Sequence, residues 1–112
     1  MKEEIRRAIA YAASARVNQN ARSSVYSYET GQHTFMGGSR ESGYDYDTGS
    51  HFSTSGSSLY HYGTASHISF NMSGQNFTGY DYNSGHHFSG HVSGNAVQIY
   101  DYGESRYFTY LT

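Results

Sequence analysis

The sequence predicts an α+β protein, with an N-terminal amphipathic helix packed on a strongly twisted antiparallel β-meander of about ten strands. Three observations predict it. Residues 25–112 repeat one aromatic unit, Gly-containing turns recur at mirror positions within that repeat, and residues 2–17 carry an apolar stripe at helical spacing.

The repeat unit is Tyr-x-Tyr-x4-His/Tyr. Its five copies are Tyr26-Ser27-Tyr28 with His33, Tyr44-Asp45-Tyr46 with His51, Tyr60-His61-Tyr62 with His67, Tyr80-Asp81-Tyr82 with His87, and Tyr100-Asp101-Tyr102 with Tyr107. Midway between the second Tyr and the His stand Thr30-Gly31, Thr48-Gly49, Thr64-Ala65, Ser84-Gly85 and Glu104-Ser105. Each reads as a two-residue turn whose second position favours positive φ. Midway between each His and the next unit stand Gly38-Ser39, Ser55-Gly56, Ser73-Gly74 and Ser93-Gly94, which read the same way. Hairpins on both sides of every strand make a meander, with strands near 24–29, 32–37, 40–47, 50–54, 57–63, 66–72, 75–83, 86–92, 95–103 and 106–111.

Repeat lengths of 18, 16, 20 and 20 residues are all even. An even change keeps every later side chain on its own face of the sheet. A parallel β-solenoid also suits such a period, but uneven repeats and mirror-placed turns argue against it. In the register set by these turn midpoints, His33 lies between Tyr28 and Tyr44, and His86 lies opposite Asp101. Successive hairpins climb diagonally, which fits a coiled sheet or a closed barrel. A helix ~10 Å across is a tight fit inside a barrel of this size, which favours an open curved sheet with the helix on one face.

Alternation assigns Val25, Met36, Phe52, Leu59, Ile68, Phe70, Met72, Phe77, Phe88, Val92, Val97, Ile99 and Phe108 to a core face. The helix offers Ile5, Ala8, Ile9, Ala12 and Ala13 to it, and Asn18 to Ser24 form the exit. The whole chain reads as one domain, with the helix in 1–20 and the hairpin sheet in 24–112. One helix ~24 Å long cannot cover ten open strands, so the open-sheet reading implies a homo-oligomer, most simply a dimer. The last strand, Arg106 to Leu111, would invite pairing as an exposed edge, and strand one is one of the partners open to it.

The opposite face carries the candidate site: Tyr28, His33, Tyr44, Tyr46, His51, Tyr60, Tyr62, His67, Tyr80, Tyr82, His87, Tyr100 and Tyr102, with Tyr26, Phe35, His91 and Tyr107 beside them. It reads either as a structural ladder of cross-strand aromatic pairs or as an aromatic platform for a sugar, an exposed base or a protein partner.

Other functions find less support. There is no cysteine and no Pro or Trp, which removes disulfides and thiolate metal sites. The ladder histidines stand on alternate strands, nearly 10 Å apart, too far to share an ion, so no metal or other cofactor is expected. Catalysis needs a singular constellation, whereas the Ser, His and Asp residues recur with the repeat; Asp45, Asp81 and Asp101 fill equivalent slots and read as structural. No catalytic residue is assigned. Five basic residues in 1–24 face seven acidic ones beyond, which suggests internal complementarity more than a nucleic-acid arm. Without an apolar run near 20 residues or a signal-type start, no membrane span is expected, and the location expected is cytoplasmic. The first hypothesis is a small self-associating structural or interaction protein. The second is a small-ligand or carbohydrate binding module using the Tyr/His face.

Overall fold

The computed structural model describes residues 1–112. One helix, α1 (Glu3–Asn18), precedes ten strands: β1 (Ser24–Ser27), β2 (Gln32–Gly38), β3 (Ser42–Asp45), β4 (Ser50–Ser55), β5 (Ser58–His61), β6 (Ser66–Ser73), β7 (Asn76–Asp81), β8 (His86–Ser93), β9 (Ala96–Asp101) and β10 (Arg106–Leu111). Every strand pairs antiparallel with its sequence neighbours, and β10 pairs with β1. The meander is therefore present, and its sheet takes the closed form. No edge strand remains.

The helix occupies the inside of the barrel. Ala12, Ala13, Ser14 and Ala15 are consecutive and all buried, as are Ala8 to Tyr11, so no face of α1 is left to solvent. It approaches β1, β3, β5, β8 and β9, which lie around the wall. At ~1.5 Å per residue it spans most of a molecule 30 × 28 × 28 Å across.

Two features resolve the expected tight fit. Five alanines within residues 8–15 narrow the helix. Opposite them, inward glycines let aromatic rings settle against the wall instead of reaching for the axis. A Cβ on Gly43 would fall 2.3 Å from the Phe52 ring, and one on Gly79 equally close to Phe88. Shear supplies the remaining width: stepping from partner to partner around the ladders returns to β1 about 14 residues from the start. The expected apolar positions line this core, with Met72 only partly buried, and Tyr11 and Tyr110 join them. Because closure and helix cover the whole apolar face, the uncovered face that called for a second subunit does not exist.

The turns differ from the sequence reading in length. The five Tyr-proximal connections are four-residue loops, as in Tyr28 to Gly31 between the paired Ser27 and Gln32. Their last residues, Gly31, Gly49, Ala65, Gly85 and Ser105, all have φ between +52° and +74°. The middle residue of each Tyr-x-Tyr unit points inward and caps its loop. Asp45 accepts from the N–H of Asp47, Asp81 from Asn83 and Asp101 from Gly103, while Ser27 and His61 accept from Thr30 and Thr64. At the other end, three turns are two-residue loops led by Gly56, Gly74 and Gly94. Both turn centres thus sit one residue from the expected midpoints, in opposite directions. Cross-strand partners shift by two, or by four between β2 and β3. His86 faces Asp81, not Asp101, and His33 faces Tyr26 instead of lying between Tyr28 and Tyr44. Even shifts left every side chain on its expected face.

Charge pairing locks the helix in the lumen. Arg6 reaches Asp101 at 3.1 Å and covers the Phe108 ring, and Arg7 meets Asp45 at 2.8 Å. The Met1 ammonium lies 3.0 Å from Asp101, both buried. Burial pushes the Asp101 carboxyl up, but the Met1 ammonium and the N–H groups of Gly103 and Glu104 outweigh it and hold the pKa below the usual value. The Tyr110 phenol, raised far above its ordinary range by burial and by nearby Glu3, donates to Glu3 and accepts from Arg6. At the far end, Ser14 meets Thr112 and Asn18 donates to the Gly94 carbonyl.

Candidate functional site

Closure puts the Tyr/His face on the outside, and all thirteen candidate residues lie there. The first Tyr of each unit sits on a strand next to its cross-strand His. Tyr26–His33, Tyr44–His51, Tyr60–His67 and Tyr80–His87 have ring centroids 4.5–4.7 Å apart, and Tyr107 takes the place of His against Tyr100 at 4.8 Å. The second Tyr opens the loop and folds back edge-on to the first, at 4.7–5.1 Å. Three rings per repeat thus form a cluster, and five clusters ring the long-loop end of the barrel.

Within a cluster the roles differ. Tyr44, Tyr60, Tyr80 and Tyr100 are half-buried between neighbours. The loop tyrosines Tyr28, Tyr46, Tyr62, Tyr82 and Tyr102 are 55–65% exposed, and His33, His51, His67 and His87 are exposed as well. Each edge-to-face pair stabilises its loop by ~1 kcal/mol.

The register brings in residues that the sequence reading missed. Each first Tyr has a second cross-strand neighbour on its other side, and it is small. Gly37 faces Tyr44, Ser53 faces Tyr60, Ser69 faces Tyr80 and Ser89 faces Tyr100. The rows across three strands read Gly37–Tyr44–His51, Ser53–Tyr60–His67, Ser69–Tyr80–His87 and Ser89–Tyr100–Tyr107. Histidine covers one side of the tyrosine, and on the other the small residue leaves room for the loop tyrosine, as where the Tyr46 ring lies over Gly37. A sequence signal for this existed: His51-Phe52-Ser53, His67-Ile68-Ser69 and His87-Phe88-Ser89 repeat one tripeptide. Repeat one is the exception, with Leu111 against Tyr26.

Two of these rows open into shallow grooves. One, of about 480 Å³, is lined by Ser69, Asn71, Thr78, Tyr80, His87, Ser89 and Tyr102 over a floor of Gly79 and Phe88. The other, of about 520 Å³, lies along Gly37, Gly38, Ser42, Gly43, Tyr44, Tyr46 and His51. The outward strand positions carry Ser, Thr, Asn, Gln, Tyr and His, with Phe35, Gly37, Ala96 and Leu111, but no Asp, Glu, Lys or Arg. Fixed charges gather at the barrel ends, as in the Arg106–Glu29 pair at 2.7 Å. The outer wall is therefore aromatic, hydroxylated and without fixed charge.

No helix of the chain is long and apolar enough to cross a membrane. Comparison of the chain with protein-family models, with curated proteins and with solved structures gives no match.

Proposed function

We propose that the protein is a binding module whose working surface is the Tyr/His wall of the barrel. The observation that carries this reading is that the aromatic clusters are exposed although the core is complete without them. A surface of Tyr, Ser, Gly and Asn is the composition of recognition surfaces, since tyrosine offers a large rigid contact area at low entropic cost and small polar residues adapt around it. The reactive-looking residues recur with the repeat, which suits repeated contact better than a single catalytic centre.

Self-association through the same wall is the second reading, favoured by Phe35 at 71% exposed and Tyr107 at 62%. One experiment addresses both. Tyr28, Tyr46, Tyr62, Tyr82 and Tyr102 are changed together to Ser, and far-UV circular dichroism checks the fold. Wild type and variant are then compared by light scattering and by retention on immobilised polysaccharides and single-stranded DNA. Loss of retention with the fold intact supports the binding module. Loss of an oligomer alone supports self-association. Identical behaviour of the two proteins in every assay overturns the proposal.

A further inference from the structure

The rows on the outer wall have a defined chemistry. We propose that each of the four rows, Gly/Ser–Tyr–His in three and Ser–Tyr–Tyr in the last, is a subsite for one sugar ring of an uncharged polysaccharide, and that the four form one track around the barrel. This inference rests on the binding-module reading and deepens it.

The room that the small residue of each row leaves beside two tyrosine rings is the first argument. In each row, histidine occupies one flank of the first Tyr at 4.5–4.7 Å, apart from Tyr107 in the last row. The other flank carries Gly37, Ser53, Ser69 or Ser89 beside the edge-on loop tyrosine, whose ring at the first of these rows comes within 3.1–3.3 Å of where a Cβ on Gly37 would stand. An exposed loop-tyrosine ring, with a serine hydroxyl beside it in three of the rows, suits a pyranose, whose C–H face is apolar and whose edge is a ring of hydroxyls. Grooves of about 480 and 520 Å³ at two rows fall in the size range of small-ligand sites.

Charge is the second argument. A nucleic acid or acidic glycan draws its affinity from Lys and Arg set against its anions. The outward strand positions hold neither. They offer instead the hydroxyl and amide groups of Asn71, Thr78 and Ser89, neutral donors and acceptors that match neutral hydroxyls.

Continuity is the third. The small residue of each row stands two places beyond the histidine of the row before, on the same strand: His51 and Ser53 on β4, His67 and Ser69 on β6, His87 and Ser89 on β8. One row therefore begins where the last ends. A polymer following the track engages several weak subsites at once, and linkage raises the total affinity well above that of one.

The first repeat supplies its own control. Leu111 takes the small residue's position opposite Tyr26, so the barrel tolerates leucine there. The test uses Ser53→Leu, Ser69→Leu and Ser89→Leu combined, and separately Leu111→Ser. Probes are cellulose, chitin, starch and glucomannan as uncharged chains, with alginate and heparin as charged ones. Wild type should be retained by at least one uncharged chain, and added salt should leave this unchanged. The triple variant should lose about tenfold or more in affinity with its unfolding midpoint kept, and Leu111→Ser should gain. The inference is overturned if no uncharged chain is bound, or if both variants bind as wild type does. Should the triple variant not fold, Leu111→Ser decides alone. If the five-Tyr variant loses a charged-chain or self-contact and no neutral chain binds, the binding surface stands and the sugar subsites fall.

Discussion

The same ten strands present two faces that obey different rules. Outside, the repeat is kept: Tyr packs against His or Tyr in every copy, tilted or edge-on, with nearly constant ring distances. Inside, it is broken at almost every level. The inward residue before each four-residue loop is Ser27, Asp45, His61, Asp81 or Asp101, and the inward apolar set runs from Val25 to Phe108 without regularity. A single helix has no fivefold symmetry, so the wall must fit it one side chain at a time. The outer wall has no such tenant and can stay periodic. Interior substitutions should therefore be costly and particular, and outer ones cheap and interchangeable.

The largest break in that contrast should come from Asp101→Ala. Its carboxylate is buried and receives Met1, Arg6 and the loop N–H groups of Gly103 and Glu104. Removing it leaves the buried Met1 ammonium without its carboxylate, takes one of two carboxylates from Arg6 and uncaps the loop. The expected loss is about 3–5 kcal/mol, read as a lower midpoint in urea with unchanged slope. A midpoint within experimental error of wild type would show that the lumen pairing contributes little.

Much of this architecture is legible in the residues, and the illegible part has specific causes. Alternation and turn chemistry place thirteen core residues and thirteen outer ones on the faces they occupy, because face depends only on parity. Register depends on loop length. Side-chain caps such as Asp45 and Asp81 stabilise four-residue loops, and a Thr-Gly or Ser-Gly pair by itself reads as two residues. Closure was harder still. It depends on the width left by Phe52 settling over Gly43 and Phe88 over Gly79, a relation across strands that no local pattern reveals. The small residue of each row is legible only in part: His-x-Ser recurs in three copies, but Ser69 acquires meaning only once Tyr80 is known to lie opposite.

A sharper form of the comparison enlarges side chains on each face. Ala13 lies wholly inside, on the narrow helix, whereas Ser69 points out of β6. Ala13→Leu adds volume where the lumen has none and should cost about 1–3 kcal/mol. Ser69→Leu should stay within about 0.5 kcal/mol. Thermal unfolding of both variants measures the difference. Equal losses would mean that the outer wall is packed as tightly as the lumen, and the two-rule description would fail.

The smallest expected effect is a matter of acidity, and it concerns the one place where the repeat puts an imidazole inside. His61 is wholly buried and stacks on Phe52; its Nδ1 accepts from the Thr64 N–H, while its Nε2 has no partner. Burial lowers its pKa, against the raising pull of Glu4, Asp45 and Asp81 and with a smaller lowering push from Arg7. The folded state therefore prefers the neutral ring, and the unfolded state binds the proton more readily, with a pKa of about 6.5. Stability from this group is complete above that value and declines as pH falls from it toward the folded pKa. Asp101 acts in a separate window, losing its contribution only below the ordinary carboxylate pKa of about 3.9. His61→Asn keeps a neutral acceptor for the Thr64 N–H and removes the proton site. Its stability should be flat from neutral to mildly acidic pH where wild type declines, and parallel curves would place the titration elsewhere.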